Sequence, residues 1–396
     1  MSDKHVHIDW IPVSGPPGSW NKDELIEHVK TGMKIELCTL PLYFCALYSI
    51  KEDDSQWASS ARMHILSVAE QEMLHLALAG NMLRSLDGAQ TLYNREFMPT
   101  YPSKILFDEV DMELQPANKA NLECFLRIEA PYMPQPKLPT PEPMFPHFIP
   151  KYRSIGQFYK ELEIGIKQVA QTDPNLFSHN YEMQFTGDEF FDSKMTVIRD
   201  EATALQALET IVAQGEGNIG VPDSHYAIFV ELYQQRQKWQ TVDYIVAPAT
   251  EKYRNKNDVA YKASAACSLL SLAVDASYCY LLQTIDLCWK EENPARRPLL
   301  FRNLHRLMIE ILSPCAHTLV KQKLPSGKYA APCFEFYPPA AGAKPLTPKE
   351  LFKNLTLELE TAKKAAEAAN ETDTIEAIKK ILFCTKGLDP PHDECN

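Results

Sequence analysis

A chain of 396 residues with 45% hydrophobic side chains can bury a large core and exceeds the usual size of one domain, so one elaborated domain or two packed helical layers both fit. A formal charge of -12 without basic clusters argues against nucleic acid, whose phosphates demand a positive face. No apolar run reaches roughly 18 residues and the start MSDKHVHIDW is polar, so neither a membrane span nor a signal peptide is expected; the ten scattered cysteines read as reduced core thiols of a cytoplasmic protein, none paired at zinc-ribbon spacing.

The first helix is expected to start at the capping-box-like pair Asn21 and Glu24 and to run to about Ile50. Its apolar stripe is Ile26, Val29, Met33, Leu40 and Leu47, and the position between Met33 and Leu40 is Glu36, a carboxylate where leucine belongs. Pro41 inside this helix predicts a freed carbonyl and a bend near Glu36, from the site or from packing. Tyr43 falls two turns after Glu36 on the same face, in position to support a centre there or to act as a redox-active phenol; it is the candidate catalytic residue, with a plain core role as the alternative. The second helix ends at Asp87-Gly88. On it Glu72 and His75, spaced Glu-x-x-His, share a face with Ile65, Val68, Leu76, Ala79 and Leu83.

An unpaired carboxylate in an apolar core costs several kcal/mol or is forced neutral, so these inward groups call for a cation. Helix bundles build dinuclear carboxylate sites from a single Glu on each of two helices and a Glu-x-x-His on each of the other two. Residues 33–83 read as half of such a site.

From Gly88 to about Ile198 lies a long crossover, with a short helix over Leu122 to Glu129, a stretch of eight prolines from Pro131 to Pro150 that suggests a wrapping loop or lid, and a helix from about Ile155 to Val169. A third acidic helix starts at Asp200. Ala202, Leu205, Leu208 and Val212 mark its expected buried stripe, with Glu209 beside it and Glu216 in the breaker that follows. Pro222-Asp-Ser then caps a helix whose apolar face begins at His225 and continues through Ile228, Phe229 and Leu232. The expected metal ligands are therefore Glu36, Glu72, His75, Glu209, Glu216 and His225, the composition of a non-haem di-iron site. The second half carries no Glu-x-x-His, and Glu209 and Glu216 stand about 10 Å apart along a helix axis. Glu163 and Glu129 compete for these places.

The segments from Tyr253 to Ala316 are apolar and helical, enough for a second layer, so the chain divides into a metal-binding bundle over 1–240 and a C-terminal helical layer over 241–396. Asp275 and Asp286 read as polar edges or a substrate contact. Pro345 to Glu376 reads as an amphipathic surface helix and the tail from Asp389 as flexible.

Several motifs in combination carry a family resemblance: LYFCALYSI (Leu42 to Ile50), EQEMLHLALAGNMLRSL (Glu70 to Leu86), Pro99-Thr-Tyr-Pro102, Ile128-Glu-Ala-Pro131, Ser154-Ile-Gly-Gln-Phe-Tyr159, Gln214-Gly-Glu-Gly217, Ser224-His-Tyr226 and LPSGKYAAPCFE (Leu324 to Glu335). Together they resemble the ferritin-like domain of the iminophenyl-pyruvate dimer synthase type, which occurs alone and within enzymes of violacein and related indolic pigment pathways. The resemblance implies an all-α, ferritin-like four-helix bundle with a long crossover insertion and additional C-terminal helices. It also implies bound iron and oxidative chemistry on an amino-acid-derived or other specialised metabolite, without fixing the substrate.

The expected activity is that of an oxidase or oxygenase with two irons per chain, manganese being possible, that uses O2 on a small organic molecule, with aromatic residues such as Tyr43, Phe44, Phe158, Tyr159 and Phe229 around the substrate. A catalase-like dimanganese or iron redox protein and a non-catalytic metal-binding protein are the alternatives. No Gly-x-Gly-x-x-Gly unit supports a built-in flavin or nicotinamide, so any electron donor is external.

Overall fold

The computed structural model describes residues 15–388 except 54, 106–109, 132–151, 153, 178, 216–222, 256, 259 and 262. Two long helices form its spine, α1 (Lys22–Ser49) and α2 (Gln56–Ser85). Asn21 caps the first by accepting from Glu24 N, Ser55 caps the second, and Leu86-Asp87-Gly88 ends it with Asp87 at φ 60°. Both helices are buried on more than one side because helical layers cover both faces of the pair.

On one side lie α3 (Lys119–Ile128), α4 (Ile155–Thr172), α5 (Glu201–Gln214) and α6 (His225–Gln235). Here α4 packs on α1 and α5, α5 on α2, and α6 on α2 and α3, so four shorter helices complete the bundle. The crossover also contains an antiparallel pair, β1 (Ser103–Ile105) and β2 (Val110–Met112), a small departure from an all-α expectation. The proline-rich stretch expected to wrap the bundle lies almost wholly outside the described residues.

On the other side lies α8 (Ala265–Cys288), reached through the single-turn α7 (Thr250–Arg254). This helix has the length and mean hydropathy, 1.5, to cross a membrane, but 83% of that window is buried among its neighbours, so it is a core helix. The reading that no apolar run is so long overlooked it because Asp275 and Asp286 interrupt the run. Neither aspartate is an edge. Asp286 accepts from the backbone N–H groups of Leu92 and Tyr93 at 2.8 and 3.1 Å, tying the segment after α2 to α8. Asp275 accepts from Thr250 Oγ1 and Glu335 N at 2.5 and 2.9 Å.

Next come α9 (Arg297–Arg306), a π-helical turn over Leu307–Leu312 and α10 (Ser313–Leu319). The charged stretch expected as one surface helix is two: α11 (Pro348–Ala369), which buries Leu351, Leu355 and Leu359 against α8, and α12 (Thr372–Thr385), after a break at Asn370, φ 58°. The nine described cysteines are free thiols, seven of them buried.

Candidate metal centre

The apolar stripes of α1 and α2 face each other, and at mid-height each substitutes polar groups for leucine. Glu36, Glu72 and His75 are all buried, at 3, 3 and 1% exposure. His225, the first residue of α6, is fully buried beside them, oriented by the Ser224 cap that accepts from Ala227 N. The fifth member is Glu129, buried at the C-terminal cap of α3. These residues form two groups with ligand atoms within 4.8 Å of one another: Glu36, Glu72 and His75, and Glu72, Glu129 and His225, with Glu72 common to both.

Each of the five is pinned from outside by one hydrogen bond, leaving a second atom turned inward. Tyr159 OH donates to Glu36 Oε1, Thr39 Oγ1 to Glu72 Oε2 at 2.9 Å, and Tyr43 OH to Glu129 Oε1. His75 Nε2 lies 3.1 Å from Gln214 Oε1 and His225 Nε2 3.0 Å from Gln71 Oε1. Since an amide oxygen only accepts, each imidazole donates Nε2–H to its glutamine and turns Nδ1 toward the carboxylates, as a lone pair when the ring is neutral and as a second N–H when it is protonated. The inward oxygens meet them: Glu36 Oε2 is 3.4 Å from His75 Nδ1, and Glu72 Oε1 and Glu129 Oε2 are 2.9 and 3.4 Å from His225 Nδ1.

Three buried carboxylates around one space repel one another, and removing each from water costs several kcal/mol. Burial, and then the charges of Glu36 and Glu129, push the Glu72 carboxyl well above the usual range. Burial also acts to raise Glu36, but the hydrogen bond and charge of His75, with hydrogen bonds from Glu72 and Tyr159, outweigh it and hold Glu36 low. His225 Nδ1 is buried and makes no hydrogen bond among the described residues despite two carboxylate oxygens beside it. An inward lone pair next to inward anionic oxygens is what a cation bound by N and O ligands requires. The space among them, about 20 Å³, is of a size for ions or a water and not for an organic molecule. The residues present therefore fit a metal.

Of the expected ligands, Glu36, Glu72, His75 and His225 are brought together here, and Glu216 lies outside the described residues. Glu209 is not part of the group: it is exposed on α5. The buried face of α5 is Ala204, Ala207, Leu208 and Ile211, one residue's rotation from the expected stripe, because Ala202 is exposed while Leu205 and Val212 are only half-buried. Ile211 and Gly215 line the space among these residues instead, and a Cβ at Gly215 would lie 3.8 Å from His75 Cε1. Glu163 is also excluded, since it binds Lys160 and Lys167 on the surface of α4. Its competitor Glu129 is in the buried group. Gln71, Gln214 and Thr39 escaped notice because uncharged polar residues at helix faces carry no signal of their own. Thr39, three after Glu36 on the same face, was the one with usable spacing.

Tyr43 sits among Phe125 and Phe229, ring centroids 4.8 and 5.2 Å away, and burial followed by the Glu129 charge pushes its phenol well above the usual range. Of the aromatics expected around a substrate, Tyr159 borders this space, whereas Phe44 lines a cavity on a neighbouring face of α1.

A ferritin-like family model matches residues 29–234, more than half of the chain. The chain belongs to the ferritin-like family. Among curated proteins, this ferritin-like chain is similar to dichlorochromopyrrolate synthase of Lentzea aerocolonigenes, with 22% identity over 81% of the chain and 36% of the relative. It is also similar to 2-imino-3-(indol-3-yl)propanoate dimerase of Chromobacterium violaceum, with 21% identity over 62% of the chain and 26% of the relative. The chain thus spans only about a third and a quarter of these relatives, both of which are enzymes. The crystal structure of a ferritin-like protein from Caulobacter vibrioides shares the fold, with a TM-score of 0.51 at 20% identity over 79% of this chain and 99% of that one. The expected ferritin-like family is therefore the observed one.

Proposed function

We propose that this protein is a non-haem di-iron oxidase or oxygenase that uses O2 to oxidise a small amino-acid-derived metabolite. The observation that carries the reading is the pair of buried ligand groups sharing Glu72, each member pinned from outside and open toward the middle. Two iron ions bound there would supply O2 binding and reduction. Glu36 and His75 would hold one ion, Glu129 and His225 the other, and Glu72 stands between them.

The protein's share follows from its own side chains. Gln71 and Gln214 fix the imidazole tautomers before a metal arrives. Tyr159, Thr39 and Tyr43 each occupy one carboxylate oxygen, which sets the direction of the other. Tyr43 also holds its proton on the phenol oxygen against Glu129, the atom from which it would pass a proton inward. Phe125, Phe229 and the isoleucines Ile128, Ile155 and Ile211 exclude water around the group. The relatives' names, an indolic imino-acid dimerase and a chromopyrrolate synthase, favour an aromatic amino-acid derivative as substrate.

The test is oxygen uptake by iron-loaded protein with a panel of aromatic 2-amino, 2-imino and 2-oxo acids, with and without an added reductant. Uptake that depends on one of these acids is the expected result. Peroxide breakdown with no organic co-substrate would contradict it in favour of a catalase-like activity.

A further inference from the structure

The face of α1 and α2 turned away from the metal centre borders a second cavity, a cleft of about 850 Å³, within the range that encloses a drug-sized ligand. The two cavities share no lining residue. On α1 the metal face carries Glu36, Thr39 and Tyr43, and the cleft face carries Leu37, Pro41, Phe44 and Tyr48, one residue's rotation or about 100° away. The opposite wall comes from α8, α9, the π turn and α10.

Three features distinguish this cleft from a packing gap. The π-helical turn Leu307–Leu312 forms part of the wall, and such turns, rare in helices, recur where a functional surface has been reshaped. Two buried donors on the lining, Tyr278 OH and Trp289 Nε1, have no hydrogen-bond partner among the described residues, and a buried donor left unmade costs about 1–3 kcal/mol. At one end stands Arg62, whose guanidinium lies 3.1 Å from His317 Nε2 and 3.2 Å from the Ile50 carbonyl. Its carboxylate partner is Glu52, at 3.5 Å and 70% exposed, a surface pair that contributes little. The guanidinium thus keeps positive charge at the mouth of an apolar cavity. Four acidic residues line the cleft: Glu70 is exposed on α2, Glu189 is paired with Arg297, and Asp188 and Asp192 belong with it to the segment after Phe185, whose ring packs on Trp289 beside Gly80. Gly80 is about 27 Å along α2 from Arg62 by helix rise. That end repels an anion and the Arg62 end attracts one.

We propose that this cleft binds an apolar organic acid, its carboxylate on the guanidinium of Arg62, which His317 orients by accepting from it at Nε2, and its aliphatic or aromatic body along Leu40, Phe44 and Met73 toward Tyr278. The mouth is marked by Met63 and Ile309, 66 and 60% exposed, which a bound ligand would cover. The site is independent of metal loading.

The test is calorimetric titration of the full chain with dodecanoate, and with dodecyltrimethylammonium as the cationic counterpart of the same length. The expected result is one saturable dodecanoate per chain, at least tenfold weaker binding of the cation, and at least tenfold weaker dodecanoate binding by Arg62→Ala. Because Arg62 also holds the Ile50 carbonyl, the double variant Met63→Glu with Ile309→Glu is measured beside it; both positions are exposed, so its melting temperature stays at the wild-type value while dodecanoate affinity falls. Absence of saturable binding, equal affinity for the cation, or unchanged affinity in both variants would overturn the proposal. So would a dimer in sedimentation that dodecanoate leaves intact and the double variant dissociates, which would assign this face to a second copy of the chain.

Discussion

The two faces of the α1–α2 pair solve opposite problems with the same helices. One gathers three carboxylates and two imidazoles around about 20 Å³, each pinned by a hydroxyl or an amide. The other leaves about 850 Å³ between leucines, phenylalanines and methionines, with a single arginine at its end. Charge that must not move is surrounded by fixed partners, whereas the wider cleft is lined mostly by apolar side chains and leaves the Tyr278 and Trp289 donors without a partner among the described residues. The difference is one of polar satisfaction more than of size.

Breaking the polar face at its unshared members gives the largest effect. Because Glu36 and Glu129 each belong to one ligand group, Glu36→Ala and Glu129→Ala should each reduce bound metal from about two ions per chain to about one, measured by elemental analysis. Loss of both ions in either variant would mean the two groups do not bind separately.

A smaller change removes the outer partners only. Gln71→Ala and Gln214→Ala free the imidazole tautomers and should weaken metal affinity about 10- to 100-fold, read by competition with a chelator, while the number of sites is unchanged.

The C-terminal side has its own titrating group. Burial pushes Asp286 up to about 7, against the opposing pull of the Leu92 and Tyr93 N–H groups. Its folded value lies above its unfolded value, so its contribution is fully present below about pH 4 and is lost as pH rises toward 7. Asp286→Asn lacks this titration, and the difference in unfolding free energy between variant and wild type should move toward the variant by a few kcal/mol between pH 4 and 8, as followed by denaturant titration. A constant difference would show that Asp286 stays ionised in the fold.

The smallest effect probes how α2 meets the cleft wall. A Cβ on Gly80 would fall 1.9 Å from the Trp289 ring, so Gly80→Ala should cost about 1–3 kcal/mol through displacement of the indole. Alanine is the better helix former by about 1 kcal/mol, so destabilisation against that preference marks the contact. A variant that melts higher than wild type would show that the ring moves without cost.

The helical bundle, its caps and half of the centre were legible because periodicity exposes any carboxylate that stands where leucine belongs, as at Glu36 and Glu72. The second half was harder for a physical reason. Its residues stand at helix ends, Glu129 closing α3 and His225 opening α6, where face periodicity carries little information. Glu209 was drawn in by a stripe set one residue out of phase on a helix whose alanines blur the apolar face. Asp275 and Asp286 looked like edges because a buried aspartate is recognised only by its partners, the Thr250 hydroxyl and distant backbone N–H groups that sequence does not place nearby.

The most direct measurement is the metal content of protein purified from iron- and manganese-supplemented cultures, for wild type, Glu72→Ala and the exposed control Glu209→Ala. Two irons per chain in wild type and in Glu209→Ala, with almost none in Glu72→Ala, is the predicted result, since Glu72 belongs to both ligand groups. Wild-type protein that binds neither metal would contradict the account and leave these buried carboxylates as structural features of the bundle.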